Sequence, residues 1–319
     1  MPWLRLQPGW CRRFMTGRNL VLGLLLSCCA CLPAGPVQWL PGVISQTGLY
    51  ALAASEPWWP DEWEDSFIPQ GLLHGTSALA PLGLYQGDFQ KAAAVHAVQG
   101  TAASLAYLNH RFWDQSYLSS SLMNVSVTSG MYGFYAALED EPLGLRRLAA
   151  SPVLLFDHPL VWGSTAGFFA LGLVSGGDGV PLWDSEHVEI LGEVYPRRTG
   201  IPLFLAGESA NMLATGIGEE SLYRGIVYQG LSDEIGAGWA KVIDALFFPL
   251  LHLPQEISMI ESGEMGWGDA ARNFAIRSGI TLLLDTAYDR GGLELSTAVH
   301  TWVNLASRLG VFLVSGGVE

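Results

Sequence analysis

Apolar stretches of helix length recur along this 319-residue chain, and several of them hold charged residues in their interiors. The stretches are Leu20–Leu32, Leu72–Leu84, Phe89–Leu108, Tyr117–Leu138 and Pro152–Val174, followed by Ile201–Ile217, Ser221–Leu231, Trp239–Leu253, Arg272–Tyr288 and Leu295–Val314. Each must bury its apolar surface in lipid or in protein, and each interior charge must find a partner or a wet cavity. Charged residues make up 14% of the chain, against about 25% in an average soluble domain. The mean hydropathy is +0.28. These values exclude an ordinary soluble enzyme, a disordered chain and a coiled coil. The expected fold class is all-α: a polytopic membrane helical bundle of about seven to nine transmembrane helices. Ala, Ser and Gly recur in the stretches and allow close helix–helix approach in lipid.

The remaining charges are lopsided, with 30 acids against 16 bases and a net charge of −14. Such a balance repels phosphate backbones, so nucleic acid is not an expected partner. The four cysteines, Cys11, Cys28, Cys29 and Cys31, all lie near the N-terminus. The body of the chain therefore has no disulfide framework, no cysteine-based zinc site and no thiol nucleophile.

Residues 1–54 contain no acid, and their bases Arg5, Arg12, Arg13 and Arg18 all precede Leu20–Leu32. This is the layout of an export signal or a first membrane anchor with its basic flank in the cytoplasm. Ala51–Ala54 is a small-residue stretch suited to cleavage, and a retained anchor fits equally well. Ser55–Ser66 (SEPWWPDEWEDS) carries three Trp and five acids. It reads as an interfacial segment on the non-cytoplasmic side, or as a solvated linker. Arg146-Arg147 place their short loop in the cytoplasm by the positive-inside rule. Residues 176–198 are Gly-rich and acidic, and read as a loop with a short surface helix or strand. Three regions are expected: 1–54, an export signal or anchor; 55–198, N-terminal membrane helices and loops; and 199–315, a functional core. The expected location is an integral, multi-pass one in a prokaryotic inner or plasma membrane, with the lipid bilayer as a partner.

The interior polar residues cluster in the second half: Glu208, Asn211, Glu219, Glu220, Arg224, Asp244, His252, Asp285, His300 and Asn304. A charge at membrane depth costs about 2.5–3.5 kcal/mol or more, so each needs a reason. Three spacings stand out. Glu219-Glu220-Ser221-Leu222-Tyr223-Arg224 reads EExxxR, which makes Glu220 and Arg224 i,i+4 neighbours and leaves Glu219 on an adjacent face. Phe248 to His252 reads FxxxH inside an apolar stretch. His300 to Asn304 reads HxxxN, which stacks imidazole and amide on one helix face. The bland alternatives are a surface salt bridge for the first and hydrogen-bonded core residues for the other two.

In this order, each on its own hydrophobic helix, the three patterns resemble the CPBP family of intramembrane proteases, which includes CAAX proteases and bacteriocin-processing enzymes and is also called the Abi family. Tyr223-Arg224-Gly225 adds to the likeness, which covers roughly residues 199–315. The resemblance implies an intramembrane endopeptidase acting on membrane-associated or lipidated proteins or peptides. It implies that Glu219 is the general base for a water, that His252 helps hold that water, and that His300 and Asn304 donate to the oxyanion. Glu220 and Arg224 would orient the helix and tune Glu219, and Phe248 would pack beneath His252. No cofactor is favoured. A competing zinc reading takes Glu219, His252 and His300 as ligands, but the chain has no HExxH and Asn304 suits an oxyanion hole better than a coordination sphere. A different class of function, a non-catalytic membrane scaffold or bacteriocin-immunity protein, fits the same fold.

Two decoys are set aside. Gly207-Glu208-Ser209-Ala210 lacks the second glycine of a rhomboid serine motif. Asp285 and Asp289 lack the glycines of an aspartyl intramembrane protease and read as polar contacts or a helix end. His74, His96, His110, His158 and His187 have no partner pattern and read as structural or interfacial.

Overall fold

The computed structural model describes residue 105 and residues 116–139, 142–176, 179–190, 193–250 and 252–318. Leu20–Leu32, Ser55–Ser66, Leu72–Leu84 and, apart from residue 105, Phe89–Leu108 lie outside the described residues. So do His74, His96 and His110. The described residues are mostly helical, in keeping with the all-α class.

Helix α1 spans Ser116–Leu138 and α2 spans Leu145–Ala150, continued by a 3-10 turn at Ser151–Leu155. Helix α3 spans Pro159–Ser175. Asp157-His158-Pro159 interrupts the expected Pro152–Val174 stretch, because Pro159 is favoured at a helix start and His158 Nδ1 accepts from the Leu160 N–H at 3.3 Å. Strands β1 (His187–Ile190) and β2 (Glu193–Pro196) form a hairpin. Helix α4 (Arg197–Leu222) runs into a π-helical segment at Tyr223–Tyr228 and then α5 (Gln229–Ile235). Helices α6 (Ala237–Leu250), α7 (Leu253–Ser262) and α8 (Trp267–Ser315) follow, and β3 (Gly317–Val318) ends the chain's described part. The sheet has order β2-β1-β3, all antiparallel, with His187 opposite Val318.

Helices from both sides of residue 198 share one core. Helix α8 packs along α3, and α1 packs along α4. The first contact has an apolar centre of Val161, Leu284, Ala287, Leu295, Ala298, Val299 and Val303. It is close because both helices offer glycine: a Cβ on Gly310 would lie 2.6 Å from the Phe169 carbonyl oxygen and 2.9 Å from the Gly172 Cα. The second is stitched by polar groups. Asn124 donates to the Asn211 carbonyl at 3.1 Å and to Thr215 Oγ1 at 3.0 Å, and Asn211 donates to Ser121 Oγ at 3.0 Å. Phe204 and Phe312 stack at 3.7 Å beneath the sheet.

Several expected boundaries moved. Ile201–Ile217 and Ser221–Leu231 are not two helices but parts of one rod, Arg197 to Ile235. Gly216, Gly218 and the paired glutamates weaken the local apolar pattern there. Packing overrides them, since Gly218 sits against Thr128 of α1, where a Cβ would come within 2.6 Å of the Thr128 Cα. Trp239–Leu253 ends early, at Leu250, because Pro249 cannot continue the hydrogen-bond ladder. Leu253–Ser262 is an additional helix, and the loop expected at 176–198 contains both a short 3-10 turn and the hairpin.

Among the described residues, no helix is long and apolar enough to cross a membrane. The reasons differ between helices: α1 is uncharged but rich in Ser, Thr, Asn and Gly, α3 has only 17 residues, and α4 and α8 carry interior charges. Glu208, Glu219, Glu220 and Arg224 interrupt α4 and its extension, and Arg277, Asp285 and Asp289 interrupt α8.

Arg272–Tyr288 and Leu295–Val314 form two arms of α8, broken at Gly291 (φ −149°, ψ 17°) and Gly292 (φ 64°, ψ −161°). The Gly292 conformation is one that essentially only glycine adopts. A straight helix would separate residues 285 and 300 by about 22 Å. The break brings both to one place, as described below. Gly292→Ala is expected to cost about 1–3 kcal/mol, read as a lowered denaturation midpoint in detergent, although open space surrounds the new Cβ.

Candidate active site

The site is built where α4 passes into the π segment, and π geometry of this kind is frequent at functional positions. Glu219 and Glu220 close α4, and Arg224 lies in the first turn of the π segment. All three are buried, Glu220 and Arg224 completely. The guanidinium is surrounded by carboxylates. Its Nη1 lies 3.2 Å from Glu220 Oε1, its Nε 3.2 Å from Asp285 Oδ1, and its Nη2 3.6 Å from Asp244 Oδ2. Nη2 also donates to the Thr281 carbonyl at 3.5 Å. The Phe248 ring lies 5.1 Å from the Arg224 Cζ, within cation–π range. Four elements therefore converge on one cation: the π segment, α4, α6 and α8.

Glu220 also reaches the second arm of α8. Its Oε1 lies 2.7 Å from His300 Nδ1, and His300 Nε2 faces Glu219 Oε2 at 3.8 Å. The Glu220 carboxylate can only accept, so Nδ1 carries the proton in this pair and Nε2 is the ring nitrogen turned to Glu219. The result is a chain of contacts, Arg224–Glu220–His300–Glu219, in which each group fixes the next. Glu219 makes no direct contact with Arg224 of the kind Glu220 makes, which leaves its carboxylate beside the imidazole.

His252 is in the turn between α6 and α7, not inside a helix as expected. Pro249 and the proline that opens α7 enforce the turn. Its Nδ1 lies 3.2 Å from the Phe248 carbonyl oxygen, which can only accept. Nδ1–H therefore donates, and Nε2 is an acceptor able to hold a water. Phe248 packs against the His252 ring at 5.1 Å and edge-on to Tyr223 at 5.0 Å. Phe248 thus sits between Arg224 and His252. Phe248→Ala is expected to destabilise the protein by about 3–5 kcal/mol, seen as a lower denaturation midpoint, and to loosen His252 as well. Asn304 lies one turn beyond His300 on α8, half-buried. It belongs to the same face but is not part of the chain of ionic contacts.

Sequence reasoning missed two members of this site. Asp244 and Asp285 stood out only as polar residues in apolar stretches, and Asp285 as a decoy acid. The available signal was chemical: a buried guanidinium has five N–H donors, and one i,i+4 glutamate cannot satisfy them. The other decoys are engaged elsewhere. Asp289 accepts from Tyr228 Oη at 2.8 Å and pairs with Lys241 at 2.6 Å, and Glu208 pairs with Arg308 at 3.1 Å.

The competing zinc reading takes Glu219, His252 and His300 as ligands. Among the described residues no three His, Cys, Asp or Glu side chains are arranged around one cation position.

Buried paired carboxylates beside two imidazoles form a site suited to water activation in a helical bundle. Comparison with known proteins gives a family for it. Residues 202–306 match the family described as Rce1-like, type II CAAX prenyl endopeptidase Rce1-like, so this part of the chain is similar to CAAX proteases. The matched segment begins within α4, ends within α8 and contains every residue of the site. No curated protein and no solved structure matches the chain.

Proposed function

We propose that the chain is an intramembrane endopeptidase that cuts membrane-associated or lipidated protein or peptide substrates. The observation that carries the reading is the contact chain from Arg224 through Glu220 and His300 to Glu219. It delivers one buried carboxylate, Glu219, next to an oriented imidazole. In the reaction, Glu219 takes a proton from a water held by His252, and the resulting hydroxide attacks the scissile carbonyl carbon. With a proton on each ring nitrogen, His300 donates from Nε2, and Asn304 donates from its amide, to the oxyanion. The C–N bond then breaks, and the departing amine takes the proton held by Glu219. No metal is assigned to these steps.

A membrane setting is part of the proposal, with about seven to nine spans in a prokaryotic inner or plasma membrane and residues 1–54 as export signal or anchor. The outer face of α6 supports it. Trp239, Val242, Ile243, Leu246 and Leu250 follow helical spacing and are 68%, 47%, 39%, 53% and 50% exposed. A contiguous apolar stripe of this kind marks a surface meant for lipid or for a partner.

The test compares the membrane proteome of cells making the wild-type protein with that of cells making E219Q or H300A. Cleavage products that vanish in both variants support the reading. Unchanged products in both would sink it and leave the non-catalytic scaffold or immunity protein in its place.

A further inference from the structure

The Arg224 cluster has more acid than its one cation can balance. Asp244 and Asp285 are both fully buried. Both oxygens of Asp244 and Oδ2 of Asp285 have no conventional donor among the described residues. The two carboxyl groups are brought together on one guanidinium, Asp244 at 3.6 Å from Nη2 and Asp285 at 3.2 Å from Nε. Two carboxyls can hydrogen-bond only through a shared proton. With that proton, the pair presents one net negative charge to Arg224, opposite the charge of Glu220.

We propose that Asp244 and Asp285 are positioning residues, a proton-sharing carboxyl pair that holds Arg224 so that Glu220 stays on His300. The geometry explains why both are needed. Arg224 has three faces, and Glu220 occupies one, at Nη1. Asp285 occupies Nε and Asp244 the far side of Nη2. If those two faces were vacant, the guanidinium would be free to turn toward Glu220 and take both its oxygens as a bidentate pair. Glu220 Oε1, which now serves both Arg224 and His300, would be drawn away from the imidazole. Nε2 of His300 would then lose its heading toward Glu219. Asp285 is on one arm of α8 and His300 on the other, so the pair also ties the two arms across the Gly291–Gly292 break. This inference rests on the endopeptidase reading for its catalytic consequence, but not for the shared proton.

The test uses the full-length protein in detergent or liposomes, with two readouts. The first is infrared spectroscopy of the protonated-carboxyl stretch. A component is expected that D244N or D285N removes and that E219Q retains. The second is cleavage of an internally quenched peptide bearing an S-farnesyl cysteine four residues from its C-terminus. Each single Asn substitution keeps one carboxylate for Arg224 and supplies an amide donor for the other, so kcat is expected to fall less than about tenfold. The double D244N/D285N variant is expected to lose about 100-fold or more in kcat, beyond the product of the singles and with KM little changed. D285E is expected to recover most of the D285N loss. Unaltered denaturation midpoints in the single variants separate positioning from folding. The inference is overturned if no carboxyl component responds to D244N or D285N, or if the double variant shows only the product of the singles. If no variant or wild-type protein cleaves the peptide while the infrared component behaves as expected, the endopeptidase assignment for this peptide fails and the shared proton stands.

Discussion

Glu219→Gln is expected to abolish turnover while leaving the protein folded. The substitution keeps the side chain's size and removes its ability to take a proton. General-base catalysis contributes about 10²–10⁴-fold, and loss of that order in kcat is the expected result. The fold should tolerate the change, because no part of the Arg224 clamp depends on Glu219. Among the described residues its ionic contact is the loose 3.8 Å approach to His300. The measurement is a pair of assays on one preparation: cleavage rate and denaturation midpoint in detergent. A lowered rate with an unchanged midpoint is the supporting outcome. Full activity in E219Q would remove the water-activation role from this residue.

Arg224 is expected to show the reverse pattern, with stability failing before chemistry can be assayed. Its guanidinium is fully buried and neutralises carboxylates on three elements. Removing one partner of a buried ionic cluster costs about 3–5 kcal/mol, because the charges left behind stay desolvated. A typical domain has only about 5–15 kcal/mol in total. Arg224→Leu should therefore express poorly and unfold at far lower denaturant. Combining it with D244N and D285N should recover part of the loss, since those changes neutralise two of the three stranded acids. Arg224→Lys keeps the charge but has three donors in place of five, and it cannot hold Glu220, Asp244 and Asp285 at once. It is expected to fold better than the leucine variant and to turn over slowly. A leucine variant as stable as the wild type would show that the cluster is not a net support of the fold.

The two expectations depend on different physics, and that difference runs through the molecule. Glu220 and Arg224 meet because an α-helix stacks residues four apart, which spacing alone reveals. The same holds for Phe248 with His252, even though a turn replaces the expected helix, and for His300 with Asn304. Pro249 announced a break, and the glycine pair at 291–292 fell in the interval expected between two helices.

Other contacts have no local rule behind them. Arg224 and Asp285 are 61 positions apart in sequence, and Glu220 and His300 are 80 apart. Their meeting depends on how α8 bends at Gly292 and how closely α4 can approach α1 and α8 at its glycines. The β3 strand pairs with a hairpin that precedes it by more than a hundred residues, and nothing in two short residues advertises that partner.

Composition and periodicity were enough for a mostly helical chain with costly charges at its centre, and motif spacing was enough to single out Glu219, Glu220, Arg224, Phe248, His252, His300 and Asn304 as candidates. These are properties of neighbours within a helical turn, where the backbone geometry is already known. Packing alone made Asp244 and Asp285 members of the site, placed His252 in a turn, and assigned Glu220 rather than Glu219 to the His300 Nδ1. Those outcomes depend on distances between elements far apart in the chain, and such distances exist only after the core has closed.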